Sequence, residues 1–230
     1  MIAAVTPRAI LLDALGTLLA LEDPAPRLAA LLRERHAIEV TPEHAAAALA
    51  VEMGYYRSHC IGAADERGLR ELRLRCAALL ARELGGAAAV LDPATLLPTL
   101  LDSLQFAPYP DVVAALQRWR SAGARLVVAS NWDISLHAVL ERTGLRGLLD
   151  AVVTSAELGA AKPAGELFAA ALALAGAQAW QSAHIGDSLF EDVEGARAAG
   201  IEAVWLRRSD HAGAPAAPPQ VRVISSLAEF

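Results

Sequence analysis

A chain of 230 residues, 55% hydrophobic and 20% charged, has ample apolar surface for a core, which excludes an intrinsically disordered protein. A formal net charge of −6, a pI of about 5.5 and the lack of any basic run argue against nucleic acid or an anionic membrane as partner. Cys60 and Cys76 are too few for a disulfide scaffold; they read as buried apolar residues in a reducing cytoplasm.

The first 21 residues superficially resemble a signal peptide, but Asp13 interrupts the apolar run and Arg8 is the lone early cation, so no leader is expected. Residues 8–12 (RAILL) read as a short buried strand ending at Asp13. Residues 24–35 are helical, and the spacing stays helical from 41 to 104. Thr41 is an N-cap with Pro42 and Glu43 behind it. An amphipathic helix at 67–84 closes on Gly85 and Gly86, and another helix follows Asp92 and Pro93.

The rhythm then alternates. Helices are expected at 110–122, 134–143, 163–175 and 191–199. Strands are expected at 125–130, 151–154, 183–186, 202–206 and 221–224. The uncharged stretch 167–186 contains Gly176, Gln178, Gln181, Ser182 and His184, so it reads as helix, loop and strand rather than a membrane span. Residues 211–220 form a Pro/Ala/Gly loop. Alternating strand and helix implies α/β architecture: a doubly wound parallel sheet at 1–20 and 108–230, interrupted by an all-helical insertion at 21–107.

In open α/β sheets, ligands bind beyond the carboxyl ends of the strands. The residues at those ends are unusually polar here. The first strand ends in Asp13, then Leu15, Gly16 and Thr17; the 125–130 strand ends in Ser130 and Asn131; the 183–186 strand ends in Asp187, with Ser188 and Asp192 after it. Lys162 and Pro163 stand at a helix start. Lys162 is the single lysine beside 19 arginines, and a lysine there opposes the helix dipole, which favours a functional role for its compact charge. Several carboxylates at one edge repel one another, and a divalent cation relieves that. Oxygen-only ligands select magnesium over zinc. A carboxylate also serves as a covalent nucleophile, so the pattern fits metal-assisted displacement by Asp13. Blander readings stay open: Ser130 and Asn131, or Asp187, as helix caps, and Asp192 as an acid in a first helical turn.

Four motifs in order carry a family resemblance: Asp13-Ala14-Leu15-Gly16-Thr17-Leu18; Val-Val-Ala-Ser130-Asn131; Gly159-Ala160-Ala161-Lys162-Pro163; and Gly186-Asp187-Ser188 with Asp192-Val193-Glu194-Gly195-Ala196. Together they resemble the haloacid dehalogenase superfamily of hydrolases, whose Rossmann-like core carries a mobile helical cap. The resemblance implies Asp13 as nucleophile and magnesium ligand, with the Leu15 carbonyl, Asp187 and Asp192 completing the metal site. It implies Ser130 and the Asn131 amide at the phosphoryl oxygens, Lys162 neutralising charge, and Gly16 making the turn that places Asp13 and Thr17.

One position departs from the pattern. Phosphatases of the family usually carry a second aspartate two residues after the nucleophile, as general acid and base. Here that residue is Leu15, and such help is worth about 10²- to 10⁴-fold in rate. A 2-haloacid dehalogenase needs no acid there, but lacks the acidic magnesium site that Asp187 and Asp192 represent. The family's phosphonate-cleaving members need a cap lysine, and residues 21–107 contain none. A phosphatase with a good leaving group, or with an acid from His59, Glu52, Asp65 or Asp133, remains, as does a catalytically weak binding module. The expectation is a cytoplasmic, magnesium-dependent phosphatase of a small phosphorylated metabolite, working through an aspartyl-phosphate; the sequence sets no oligomeric state.

Overall fold

Strands buried on both faces must be apolar throughout, and the sheet of this computed structural model, which describes residues 7–208 and 216–230, is built from such segments. In chain order the strands are β1 (Ala9–Leu12), β2 (Leu19–Leu21), β3 (Phe106–Pro108), β4 (Arg125–Ser130), β5 (Ala151–Thr154), β6 (Ser182–Gly186), β7 (Glu202–Leu206) and β8 (Arg222–Ile224). Six of them form one parallel sheet in the order β5-β4-β1-β6-β7-β8. β1 is completely buried at its centre, with Leu12 opposite Val128 on one side and Ile185 on the other.

The helices are α1 (Pro24–His36), α2 (Pro42–His59), α3 (Glu66–Leu84), α4 (Pro93–Ser103), α5 (Val112–Ser121), α6 (Leu136–Arg142), α7 (Ser155–Leu158), α8 (Gly165–Ala175) and α9 (Gly195–Ala198). The strand alternation divides the core. Ile10, Leu12, Leu126 and Val128 pack with Leu116 and Trp119 of α5 and Leu136 of α6. Ala9, Leu11, Val127 and Ala129 pack with Leu167 and Phe168 of α8 on the other face. This is the doubly wound arrangement that the alternation implies.

α1 to α4 bury a separate cluster that includes Leu28, Leu32, Leu49, Leu80, Leu96 and Leu100. Their starts are written locally. Asp23, Thr41, Asp65 and Asp92 each accept a backbone N–H in the first turn of the helix they cap, and Pro24, Pro42 and Pro93 follow three of them. β2 and β3 pair antiparallel at the base of this helical block, Leu19 against Pro108 and Leu21 against Phe106.

Three local expectations are corrected. The β2–β3 ribbon, which falls across the expected insertion boundaries, was not expected; three residues with a proline give no two-residue alternation to read. Lys162 and Pro163 precede α8 rather than open it: the helix starts at Gly165 after a cis Lys162–Pro163 bond. The expected 191–199 helix is a π-turn, Leu189–Glu194, followed by the short α9. Residues 1–6 and 211–215, on which parts of the leader and loop expectations rest, lie outside the described residues. Among the described residues no helix is long and apolar enough to cross a membrane.

Candidate active site

The carboxyl ends of β1, β4 and β6 meet at one edge, where the chain crosses from one side of β1 to the other. Asp13 follows β1, with its N–H on the Ile185 carbonyl at 3.0 Å. Its Oδ1 accepts from Ser130 Oγ at 3.0 Å and from Lys162 Nζ at 2.6 Å. Lys162 Nζ also donates to Asp192 Oδ1 at 2.6 Å. The lone lysine thus bridges two carboxylates, with only 3% of its surface exposed.

Each member is held from behind. Asn131 clamps the Lys162 backbone, accepting its N–H at 2.7 Å and donating to its carbonyl at 3.0 Å. Asp192 Oδ1 also meets His184 Nε2 at 2.9 Å, and its Oδ2 accepts the Ser188 N–H at 3.0 Å. The π-turn produces that loop closure: the N–H groups of Asp192 and Val193 both reach the Ser188 carbonyl. His184 stands edge-on to Phe168 in the core, and its Nδ1 has no partner among the described residues. Trp205 Nε1 donates to the Asp187 carbonyl at 2.9 Å.

Two glycines allow these approaches. A Cβ at Gly16, where φ is +82°, would lie 2.1 Å from Asp187 Oδ2. A Cβ at Gly186 would lie 2.1 Å from Asp192 Cγ. Gly186→Ala is therefore expected to cost about 1–3 kcal/mol, read as a fall of several degrees in Tm. An unchanged Tm would mean that Asp192 is not held against β6.

Oxygens of Asp13, Asp187 and Asp192 all lie within 4.8 Å of one another. Burial raises the Asp13 carboxyl against the pull of Lys162. Burial alone would lower Lys162, but Asp13 and Asp192 outweigh it and raise its pKa, so the ammonium stays charged. For Asp192 burial is overcome by Lys162 and His184, which hold it well below the usual carboxylate range. Asp187 keeps its carboxylate open to the cavity. The surrounding protein and the charges of Asp13 and Asp192 nevertheless push it up to about 7. An acidic group strained in this way fits a hard divalent cation, with Asp13 and Asp187 as the carboxylates able to hold it.

A cavity of about 640 Å³ opens over this edge. Asp13, Leu15, Gly16, Ser130, Asn131, Asp187 and Asp192 line it. The helical block contributes Glu52, Met53, Tyr56, Arg57, Cys60, Cys76 and Leu100. Thr17 is not among the lining residues: it is completely buried, and its Oγ1 has no partner among the described residues. Of the proposed proton donors, Glu52 and Asp133 line the cavity. His59 instead stacks on Tyr55, and Asp65 caps α3. Tyr56 Oη donates to Asp133 Oδ2 at 2.9 Å, tying the helical block to the loop after β4. The sequence reading missed the positioning contacts of His184 and Trp205. The polar His184 in a buried strand beside Asp187 was the available signal.

Residues 7–200 match the model of the haloacid dehalogenase-like hydrolases. The chain is 34% identical over 106 residues to ribulose-1,5-bisphosphate 5-phosphatase from Halopiger xanaduensis, covering 46% of this chain and 44% of that protein. Its alignments span less than half the length of this and the other foremost curated relatives. A HAD phosphatase structure from Thermococcus onnurineus is 26% identical with a TM-score of 0.64, covering 96% of this chain and 95% of that one. A 2-haloacid dehalogenase structure from Pseudomonas syringae, 22% identical with a TM-score of 0.65 over 97% and 96%, shares the fold.

Proposed function

The chain belongs to the haloacid dehalogenase-like hydrolases, and from that premise we propose that it is a magnesium-dependent phosphatase of small phosphorylated metabolites. The observation that carries this reading is the gathering of Asp13, Asp187 and Asp192, with one buried lysine paired to only two of them, Asp13 and Asp192. Attack by a lone carboxylate on a carbon–halogen bond has no use for the further carboxylate of Asp187, which has no cation paired to it among the described residues. A phosphoryl group, which brings its own negative charge, needs a cation among them. The phosphatase relatives support the same choice.

Asp13, Asp187 and the Leu15 carbonyl would hold magnesium, with Asp192 as an outer partner because both its oxygens are engaged. When bound, the metal would offset phosphoryl charge and orient the group. Asp13 attacks phosphorus, forming an aspartyl-phosphate that water then hydrolyses. Ser130 and Lys162 hold Oδ1 of Asp13 so that the other oxygen is aimed, and Lys162 offsets charge at the transferring group. We further propose that the helical block, residues 21–107, is a mobile cap over the 1–20 and 108–230 core.

The test is an acid quench during turnover of labelled acetyl phosphate. Magnesium-dependent label on the Asp13 peptide, released by hydroxylamine, is expected; rapid turnover with label on another residue would overturn the assignment.

Asp187 also sets a pH dependence. Its folded pKa of about 7 lies above the unfolded value of about 3.9. Folding therefore favours its protonated form, and stability from this group falls as pH rises from about 4 to 7. Magnesium competes with that proton. The magnesium Kd is expected to rise by up to about tenfold per pH unit below 7, measured by calorimetric titration. A Kd constant from pH 5 to 8 would remove Asp187 from the metal site.

A further inference from the structure

Leu15 leaves the leaving group without the usual proton donor, so the cavity must either do without one or supply it from elsewhere. Among the described residues, six carboxyl groups line the cavity: Asp13, Glu52, Asp133, Asp187, Glu191 and Asp192. Asp13 and Asp187 belong to the proposed nucleophile and metal site, and Asp192 is committed to Lys162. Asp133 accepts the Tyr56 hydroxyl on one oxygen and, at 2.6 Å, the Ser135 N–H on the other, so both oxygens are already engaged. Glu191 sits on the core side, beside Asn131 and within the field of Lys162.

Glu52 differs from all of these. It lies on α2 of the helical block, 4% exposed, and lines the cavity beside Met53 and Leu100. The Cys76 thiol of α3 is its polar neighbour. Among the described residues no cation or backbone N–H holds its carboxylate. Burial raises its pKa, the direction a proton donor needs. α2 also meets the core close to the site. Tyr56 is one turn further on, about 5–6 Å away between side-chain roots, and its hydroxyl rests on Asp133, three residues after Ser130. The α2 helix that carries Glu52 thus contacts the loop after β4, and Glu52 lines the same cavity as Asp13.

We propose that Glu52 is the general acid and base that replaces the side chain missing at Leu15; this rests on the phosphatase reading. As Asp13 Oδ2 bonds to phosphorus, the phosphorus–oxygen bond to the leaving group breaks and the Glu52 proton passes to that oxygen. The Glu52 carboxylate then takes a proton from the water that attacks the aspartyl-phosphate. Phosphate departs, Asp13 regains its electron pair, and Glu52 is again protonated.

The experiment compares β-glycerophosphate, whose alkoxide needs a proton, with acetyl phosphate, whose carboxylate hardly does. Glu52→Gln is expected to lower kcat/KM on the alkyl ester by about 10²-fold and on acetyl phosphate by less than about threefold. Leu15→Asp is expected to recover at least about tenfold on the ester in the Glu52→Gln protein, and to gain less in the wild type. If Glu52→Gln does not fold, Glu52→Asp, which withdraws the carboxyl by one methylene, should show the same selective loss. An equal loss on both substrates, or none, would overturn the assignment. No phosphate release by the wild type from either substrate would overturn the phosphatase reading itself.

Discussion

Asp13→Asn is expected to lower turnover by at least about 10³-fold while leaving the protein folded. The amide is isosteric but cannot attack phosphorus, and loss of a covalent nucleophile is among the largest single effects in hydrolases. The stability side needs weighing, because removing one partner of a buried ion pair can cost about 3–5 kcal/mol when a charge is left uncompensated. That does not happen here. Lys162 keeps Asp192 at 2.6 Å, and Asp187 is relieved of a neighbouring charge that helps raise its pKa. Repulsion removed and attraction lost should nearly cancel, so Tm in chelator should move by a few degrees at most. Retained turnover in a folded variant would remove Asp13 from the mechanism.

Lys162→Met should have the opposite balance. The thioether fills most of the volume but leaves Asp13 and Asp192 facing each other with no cation between them. Lys162 is buried, and burial would lower its pKa were it not for these two carboxylates. With its folded pKa above the unfolded one, its contribution is complete below about pH 10 and is lost only at higher pH, so the whole of it is at stake at neutral pH. The expected loss is about 3–5 kcal/mol, seen as a large fall in Tm in chelator, with part recovered on adding magnesium. Turnover should fall at least about 10²-fold. Lys162→Arg should restore stability better than rate, because a planar fork cannot occupy the point where one nitrogen meets two oxygens 2.6 Å away. Normal stability and rate in Lys162→Met would make this lysine an ordinary buried residue.

Much of the site is legible in the sequence because strand ends are. Asp13, Ser130 and Asp187 each stop an apolar run that can only be a buried strand, and parallel strands bring those ends to one edge. Lys162 is visible through composition, although its bonding to both Asp13 and Asp192 is not. The illegible part is long-range. Asn131 spends its side-chain amide on the Lys162 backbone, 31 residues away. Thr17, expected beside substrate, turns into the core, and the Arg208 guanidinium reaches its carbonyl. Cys60 and Cys76 are buried as expected, but they also line the cavity, because α2 and α3 share that wall. The β2–β3 ribbon and the π-turn are conformations that no single-residue preference encodes.

The central claim is most directly tested by measuring phosphate release from p-nitrophenyl phosphate and acetyl phosphate, and chloride release from 2-chloropropionate, on one preparation with magnesium and with chelator. The account predicts phosphate release that requires magnesium, and no chloride. Chloride release that persists in chelator, with no phosphate from either phosphorylated substrate, would contradict it.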